Sequence, residues 1–199
     1  MEENDRYDKA IVRNLYEIAH ALMELKALTA LENYCELNNV WVLGASFFSI
    51  AEKALFNDMV AHTIKVLEKN RESTTFWYLL KGEVKIEELK VYSSQKINFL
   101  EDLSNRFKII RNKTHFHIDK NGVLDTNKIW EEAGIKRKDV KSALEFIFLL
   151  LEELHEKKFN RSFLFNPADY DNSDIGRVLD IVGKEGLLNI YPKAAQDDR

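Results

Sequence analysis

Four long stretches of this chain carry apolar residues at helical spacing, and few residues interrupt them. Between residues 5 and 37, isoleucines and leucines recur every three or four positions, which is the spacing of one helix face. Similar stripes follow at residues 40–69, 85–110 and 136–158. Only 2 prolines and 7 glycines occur in the 199 residues, so helix breakers are scarce. These features predict an all-α fold in which the four helices pack as an up-and-down four-helix bundle.

Short additional helices are predicted between and after the long ones. Caps and breakers indicate that one ends at Gly82, that one ends at Gly134, and that one begins near Ser173. We therefore predict one helical bundle over residues 1–159. Residues 160–199 are predicted to form a C-terminal extension with one short helix.

Composition and charge limit the classes of function. The net charge of −4 argues against an indiscriminate nucleic-acid binder, although it leaves room for a local basic patch. The single cysteine, Cys35, excludes an internal disulfide and a cysteine-based zinc site. The acidic N-terminus lacks the layout of a signal peptide, and the weakly polar run at residues 40–51 is too short to span a bilayer. We therefore predict a soluble cytoplasmic protein without membrane contact.

Two histidines on the predicted helices have structural explanations. His62 stands four positions after Asp58, a spacing that lets their side chains meet, so we expect a surface or interface hydrogen bond between them, with a supporting role at an active site as the alternative. His155 lies in a run of charged residues, so we expect it to be exposed to solvent.

The segment from Ile109 to Asp119 concentrates the groups that can perform chemistry. An arginine binds phosphate through paired, charge-assisted hydrogen bonds. A histidine has a reference pKa of about 6.5, so it can take up and release protons near neutral pH. An arginine and a histidine together supply the types of side chain that are needed to cleave RNA without a metal. The segment supplies both types, at Arg111, His115 and His117.

Other catalytic and binding motifs do not occur in the sequence. There is no glycine-rich nucleotide loop, no HExxH zinc motif and no Gly-x-Ser-x-Gly elbow. His115 and His117 would need further ligands to hold zinc, and neither Asp119 nor His62 stands at a recognised spacing. We therefore expect no metal and no cofactor.

The nonapeptide that begins at Arg111, Arg-Asn-Lys-Thr-His-Phe-His-Ile-Asp, resembles the Arg-x(4–6)-His signature of the HEPN superfamily of all-α domains. It looks most like the abortive-infection branch, in which an arginine, a polar residue and a lysine precede His-x-Asp. On this pattern Arg111 is the signature arginine, Asn112 the polar residue and His117 the signature histidine. The likeness in helix order covers about residues 40–157. Phe116 departs from the pattern, because family members often have a small residue there.

The resemblance implies a function and an assembly. Many HEPN proteins are metal-independent endoribonucleases of phage-defence, toxin–antitoxin or stress systems, and others are non-catalytic modules that bind RNA, nucleotides or proteins. The implied partners are an RNA substrate, a second copy in a homodimer with the site at the two-fold interface, and an antitoxin or regulatory protein. Arg111 and His117 are then catalytic, and the supporting residues are Asn112, Lys113, His115 and Asp119.

The residues leave two questions open. On an unbroken α-helix, His115 lies about 40° from Arg111 and His117 about 120° from it, so geometry favours His115 whereas the family pattern favours His117. The role of Arg111 is also open. Catalysis predicts that it is exposed in a cleft, whereas a structural role predicts a salt bridge, for example with Glu101 or Asp102.

Overall fold

The structure of the chain, a computed structural model, describes residues 3–37, 40–42, 47–82, 84–115, 126–184 and 190–192. Its α-helices are α1 (Glu3–Leu37), α2 (Phe47–Leu67), α3 (Phe76–Leu79), α4 (Ser94–Ile110), α5 (Thr126–Ala133), α6 (Arg137–Phe159) and α7 (Ser173–Lys184). Two short strands, β1 (Val40–Val42) and β2 (Ile190–Pro192), pair in an antiparallel ladder. Helices make up most of the described residues, so the predicted all-α class is confirmed. None of the described helices is both long and apolar enough to cross a membrane.

The long helices bury the apolar stripes that the sequence shows. α1 packs against α2 and α6, and α4 packs against α2, α5 and α6. The buried stripe of α1 contains Ile11, Leu15, Ile18, Leu22, Leu25, Leu28 and Leu31. The buried stripe of α6 contains Val140, Ala143, Leu144, Ile147, Leu150, Leu151 and Leu154. Removing these side chains from water is the main favourable term in the packing.

Two helices begin later than their apolar patterns predict. α2 begins at Phe47, because Val40–Val42 forms β1 and pairs with β2. Valine is β-branched and favours the extended backbone. α4 begins at Ser94, where the Ser93 hydroxyl accepts a hydrogen bond from the Lys96 N–H at 3.4 Å and caps the helix.

The chain beyond α6 folds back onto α1. Asn160, with a left-handed φ of 52°, ends α6. We call residues 160–172 the strap. The Lys26 ammonium group on α1 donates hydrogen bonds to the strap carbonyls of Pro167 and Ala168, at 2.8 and 3.1 Å. α7 also contacts α1, so both the strap and α7 pack on this long helix.

His155 is buried, so the prediction that it is exposed was wrong. Its Nδ1 lies 3.1 Å from the Arg161 carbonyl oxygen, and the rings of Phe159 and Phe163 lie 4.6 and 5.5 Å from its own. Burial lowers the pKa of His155, although the hydrogen bond to the Arg161 carbonyl opposes this. Phe159 stands four positions after His155 on α6, so helical spacing could have indicated it, whereas Phe163 lies beyond the end of the helix and no local pattern links it to His155.

A charged cluster joins α1 to α2. The Nδ1 of His62 lies 2.5 Å from Glu17 Oε2, and its Nε2 lies 3.5 Å from Glu24 Oε1. His62 therefore pairs with carboxylates of the neighbouring helix, and the predicted bond to Asp58 was wrong. The spacing within α2 allowed a contact with Asp58, but the two carboxylates on α1 face both ring nitrogens.

These contacts shift two pKa values in opposite directions. The hydrogen bond to Glu24, together with that to Glu17, raises the pKa of His62 above its ordinary value of 6.5 in spite of burial. Burial opposes ionisation of Glu17, but its hydrogen bond with His62 and the charges of Lys65, His62 and Arg13 prevail and lower its pKa below 4.5. The contribution of the ion pair to the free energy of unfolding is therefore fully present between about pH 4.5 and 6.5, the ordinary pKa values of the two groups.

We expect His62→Gln to destabilise the protein by about 2 kcal/mol at pH 6, because it removes a charged hydrogen-bond partner of two carboxylates. The loss becomes smaller as the pH rises through the raised pKa of folded His62, since the wild-type imidazole then also loses its charge. It becomes smaller again as the pH falls through the lowered pKa of Glu17. Urea denaturation at pH 6 and at pH 9 measures the two differences.

His20→Gln provides a control for this comparison. His20 is exposed, and its ring stacks on that of His62 at 5.6 Å without bonding to Glu17 or Glu24. We expect a small effect with little dependence on pH. An effect of His62→Gln that is equal at pH 6 and pH 9 would contradict the assigned ion pairs.

Candidate functional site

Arg111 directly follows α4, at the point where the helix changes its hydrogen-bond pattern. Residues Arg111–His115 form a single π-helical turn. Such turns are rare and are often found at functional sites. Angles calculated for an unbroken α-helix therefore do not apply from Arg111 onwards. His117 and Asp119 lie outside the described residues, as does the side chain of His115, so the choice of histidine stays a prediction.

The Arg111 guanidinium group is held on two sides. Its Nη1 forms an ion pair with the carboxylate of Glu68, just after α2. Its Nε and Nη2 both donate to Oδ1 of Asn112, each at 3.0 Å. A salt bridge to Arg111 is therefore present, as a structural role predicts. Its partner is not Glu101 or Asp102, which pair with other residues.

Arg111 also lines a cavity of about 410 Å³ between the end of α2 and one face of α4. The side chains of Arg111 and Glu68 are 29% and 32% exposed, so solvent reaches their ion pair. The cavity volume falls within the range of small-ligand sites, about 300–1,000 Å³. Its polar lining consists of Glu68, Lys69, Asn70, Ser104, Asn105, Lys108 and Arg111.

Two hydrogen bonds to one carbonyl fix the walls of this cavity. The Leu67 carbonyl oxygen accepts the indole N–H of Trp77 at 2.7 Å and the hydroxyl of Ser104 at 2.6 Å. Because Leu67 ends α2, the Ser104 bond joins that helix to α4 beside the cavity, and the Trp77 bond joins it to α3. Glu68 then stands at the negative end of the α2 dipole, where a carboxylate is unfavourable without a nearby cation. Arg111 supplies that cation.

Two of the cavity residues that sequence reasoning missed carry a charge next to Arg111. Glu68 lies 43 positions from Arg111, and no local pattern links them. Lys108 lies three positions before Arg111 on the same helix face, so the helical spacing could have indicated it. Lys108 is exposed and forms no ion pair with another described residue, which leaves its positive charge available at the cavity.

The remaining predicted residues with described side chains are Asn112 and Lys113. Asn112 holds the guanidinium plane of Arg111. Lys113 pairs with Glu132 of α5 at 3.3 Å and does not line the cavity. Among the side chains that the structure describes, no three histidine, cysteine, aspartate or glutamate residues stand close enough together to hold a metal ion.

The cavity brings together an arginine fork, an available lysine and a carboxylate. The fork and the lysine can bind an anion such as a phosphodiester, because each offers charged N–H donors. No family model, curated protein or solved structure matches the chain. The assignment of a function therefore rests on the chain's own residues.

Proposed function

We propose that this chain is a HEPN-type, metal-independent endoribonuclease that acts in phage defence, a toxin–antitoxin pair or a stress response. One observation carries the proposal. Arg111, the first residue of the HEPN-like nonapeptide, lies on the wall of a cavity with Lys108 beside it. The nonapeptide then supplies His115 and His117 within six positions of that arginine.

The ion pair between Arg111 and Glu68 is compatible with the binding of a phosphodiester. Both side chains are about one-third exposed. Ion pairs at fully exposed positions contribute only about 0–1 kcal/mol. At this half-buried position, a phosphate group that takes the place of the carboxylate must also offset the cost of leaving Glu68 without its cation. Asn112 keeps its two hydrogen bonds to Nε and Nη2 and continues to orient the guanidinium plane.

The proposed reaction needs proton transfer and charge stabilisation. A histidine removes the proton of a ribose 2′-OH, and the 2′-oxygen attacks the adjacent phosphorus. Arg111 and Lys108 stabilise the negative charge that develops on the non-bridging oxygens. A protonated group then donates its proton to the departing 5′-oxygen, which leaves a 2′,3′-cyclic phosphate and a 5′-hydroxyl. His117 is our first candidate for the proton-transfer residue and His115 the second.

The proposal includes the fold and the assembly. The contacts of α1 with α2 and α6, and of α4 with the same two helices, support an up-and-down HEPN-like bundle over residues 1–159. Two chains form a homodimer in which both nonapeptides meet at the two-fold interface. An antitoxin or other regulatory partner controls the activity, and the protein is soluble in the cytoplasm.

The same ion pair favours a second candidate function. A guanidinium group that pairs with Glu68 also serves to hold the end of α2 against the end of α4. On this alternative the chain is a non-catalytic HEPN module that binds RNA, nucleotides or a protein. The two candidates differ in whether bound RNA is cleaved.

Incubation of a mixed-sequence, single-stranded RNA with the purified protein in EDTA tests the proposal. We expect cleavage to persist, because the scheme uses no metal, and to leave cyclic phosphate and 5′-hydroxyl ends that mass spectrometry identifies. Comparison of His117→Ala with His115→Ala then identifies the proton-transfer residue. We expect the larger loss for His117→Ala.

Three other outcomes would count against the proposal. Cleavage that EDTA abolishes would mean a metal-dependent reaction. RNA binding without cleavage, weakened by Lys108→Ala, would favour the non-catalytic module. Cleavage that is undiminished in a parallel preparation of Arg111→Ala would come from another site or from a contaminating nuclease.

A further inference from the structure

A second cavity, of about 790 Å³, lies between α1, α6 and the strap. We call it the α1–α6 groove. Leu149, one of its wall residues, is 49% exposed, so the groove presents apolar surface to solvent. Its volume also falls within the range of small-ligand sites, about 300–1,000 Å³. The apolar surface of the groove consists of Leu22, Leu25, Ala30, Phe148, Leu149, Pro167 and Ala168.

Most polar groups of the groove already have partners within the protein. The Lys26 ammonium group donates to the two strap carbonyls. The Thr29 hydroxyl donates to the Leu25 carbonyl at 2.7 Å. The Lys141 ammonium group lies 3.9 Å from the Glu145 carboxylate. The positive charges of the groove are therefore already engaged.

Glu152 differs from these groups. It is half-buried in the groove, and it forms no hydrogen bond or ion pair with any other described residue. Burial, together with the negative charge of Glu156, raises the pKa of Glu152. A partly buried carboxylate that lacks a cation is unfavourable. A cation placed in the groove would therefore be attracted to this position.

We propose that the α1–α6 groove binds an amphipathic organic cation, an amine that carries an apolar chain or ring. Its ammonium group lies against the Glu152 carboxylate, and its hydrocarbon part covers Leu25, Phe148 and Leu149. The negative charge of Glu152 favours a cation over an anion. The apolar surface of the groove favours a cation with a hydrocarbon part over a bare inorganic cation. The groove shares no residue with the cavity beside Arg111, so this inference is independent of the proposed ribonuclease function.

Binding of the amine depends on pH through Glu152. The other charged groups that line the groove are Glu145 and Lys141, which pair with each other, and Lys26, which holds the strap; Glu156, outside the lining, also acts on Glu152 through its charge. Because the pKa of Glu152 is raised, it takes up a proton at a higher pH than an exposed glutamate does. The affinity for the amine therefore decreases as the pH falls towards that pKa.

Three probes that share one hydrocarbon chain and differ in the head group test the inference: n-octylamine, n-octanol and octanoate. Isothermal titration calorimetry of the full chain at pH 7, below the micellar concentration, measures each affinity. We expect octylamine to bind most tightly and octanoate most weakly. Glu152→Gln should weaken octylamine binding about tenfold and leave octanol binding unchanged, because it removes one charge-assisted hydrogen bond.

Two further variants separate the groove from general surface charge. Glu156→Gln removes the same charge one helical turn away, at an exposed position outside the groove lining, and should change octylamine affinity less than twofold. Leu149→Gln should weaken octylamine and octanol alike. Equal losses in the two glutamate variants, octanoate binding as tight as that of octylamine, or no binding of octylamine at millimolar concentration would each overturn the inference.

Discussion

Replacing Arg111 with alanine is expected to lower the rate of RNA cleavage about 10²- to 10³-fold, because it removes the main donor to the developing charge on phosphorus. The loss should appear in kcat as well as in kcat/KM, since that charge is greatest in the transition state. Initial rates on a short fluorescent RNA in EDTA measure it. Arg111→Lys should recover little activity, because a lysine has no planar fork with which to hold two phosphate oxygens.

Arg106→Ala is the matched control for this variant. Arg106 lies on α4, five positions before Arg111, but its Nε lies 3.0 Å from Asp102, its Nη1 donates to the Gly134 carbonyl, and it does not line the cavity beside Arg111. We expect it to keep cleavage within about threefold of wild type. Equal losses in the two alanine variants, or a large drop in thermal stability of Arg111→Ala alone, would indicate that Arg111 acts through the fold.

Replacing Gly82 with alanine is expected to destabilise the protein by about 2–3 kcal/mol. A Cβ atom at this position would lie 2.5 Å from Cζ of Tyr7 and closer still to Cε2 of the same ring. The ring cannot easily move away, because Tyr7 is buried and its hydroxyl donates to the Leu79 carbonyl at 3.3 Å. Guanidinium denaturation followed by circular dichroism measures the loss.

Gly176→Ala is the control, because it is the same substitution at a position where a Cβ atom has room. A Cβ atom at Gly176, within α7, would meet no other atom within 4 Å. Alanine has the higher helix propensity, so we expect this variant to be more stable than wild type by about 0.5–1 kcal/mol. If both variants lose stability to the same extent, the close approach of Gly82 to Tyr7 is not the cause.

The long helices could be predicted because their stability depends on a local pattern. Every leucine and isoleucine of the α1 stripe that helical spacing selects is buried. The start of α2 could not be predicted in the same way. Whether Val40–Val42 continues a helix or forms a strand depends on its pairing with Ile190–Pro192, far along the chain. Tertiary pairing overrides local preference at such positions.

The candidate site could be predicted only in part, for the same reason. The residue type and neighbours of Arg111 indicated a phosphate-binding role, but its salt-bridge partner Glu68 comes from another helix. Asp102 lies close to Arg111 in sequence and was therefore considered as its partner, yet it pairs with Arg106 on its own helix. The π-helical turn at Arg111–His115 was also unpredictable from periodicity, because a single turn contains too few residues to show a period.

The large sequence separation between Lys26 and its hydrogen-bond partners in the strap also affects how the chain folds during its synthesis. Lys26 and Pro167 are 141 positions apart, so the ribosome synthesises most of the chain between them. During that time α6 and the strap are not yet available to cover their side of α1. Uncovered apolar side chains on a 35-residue helix favour association with other nascent chains and with chaperones. A chain interrupted before α6 should therefore aggregate.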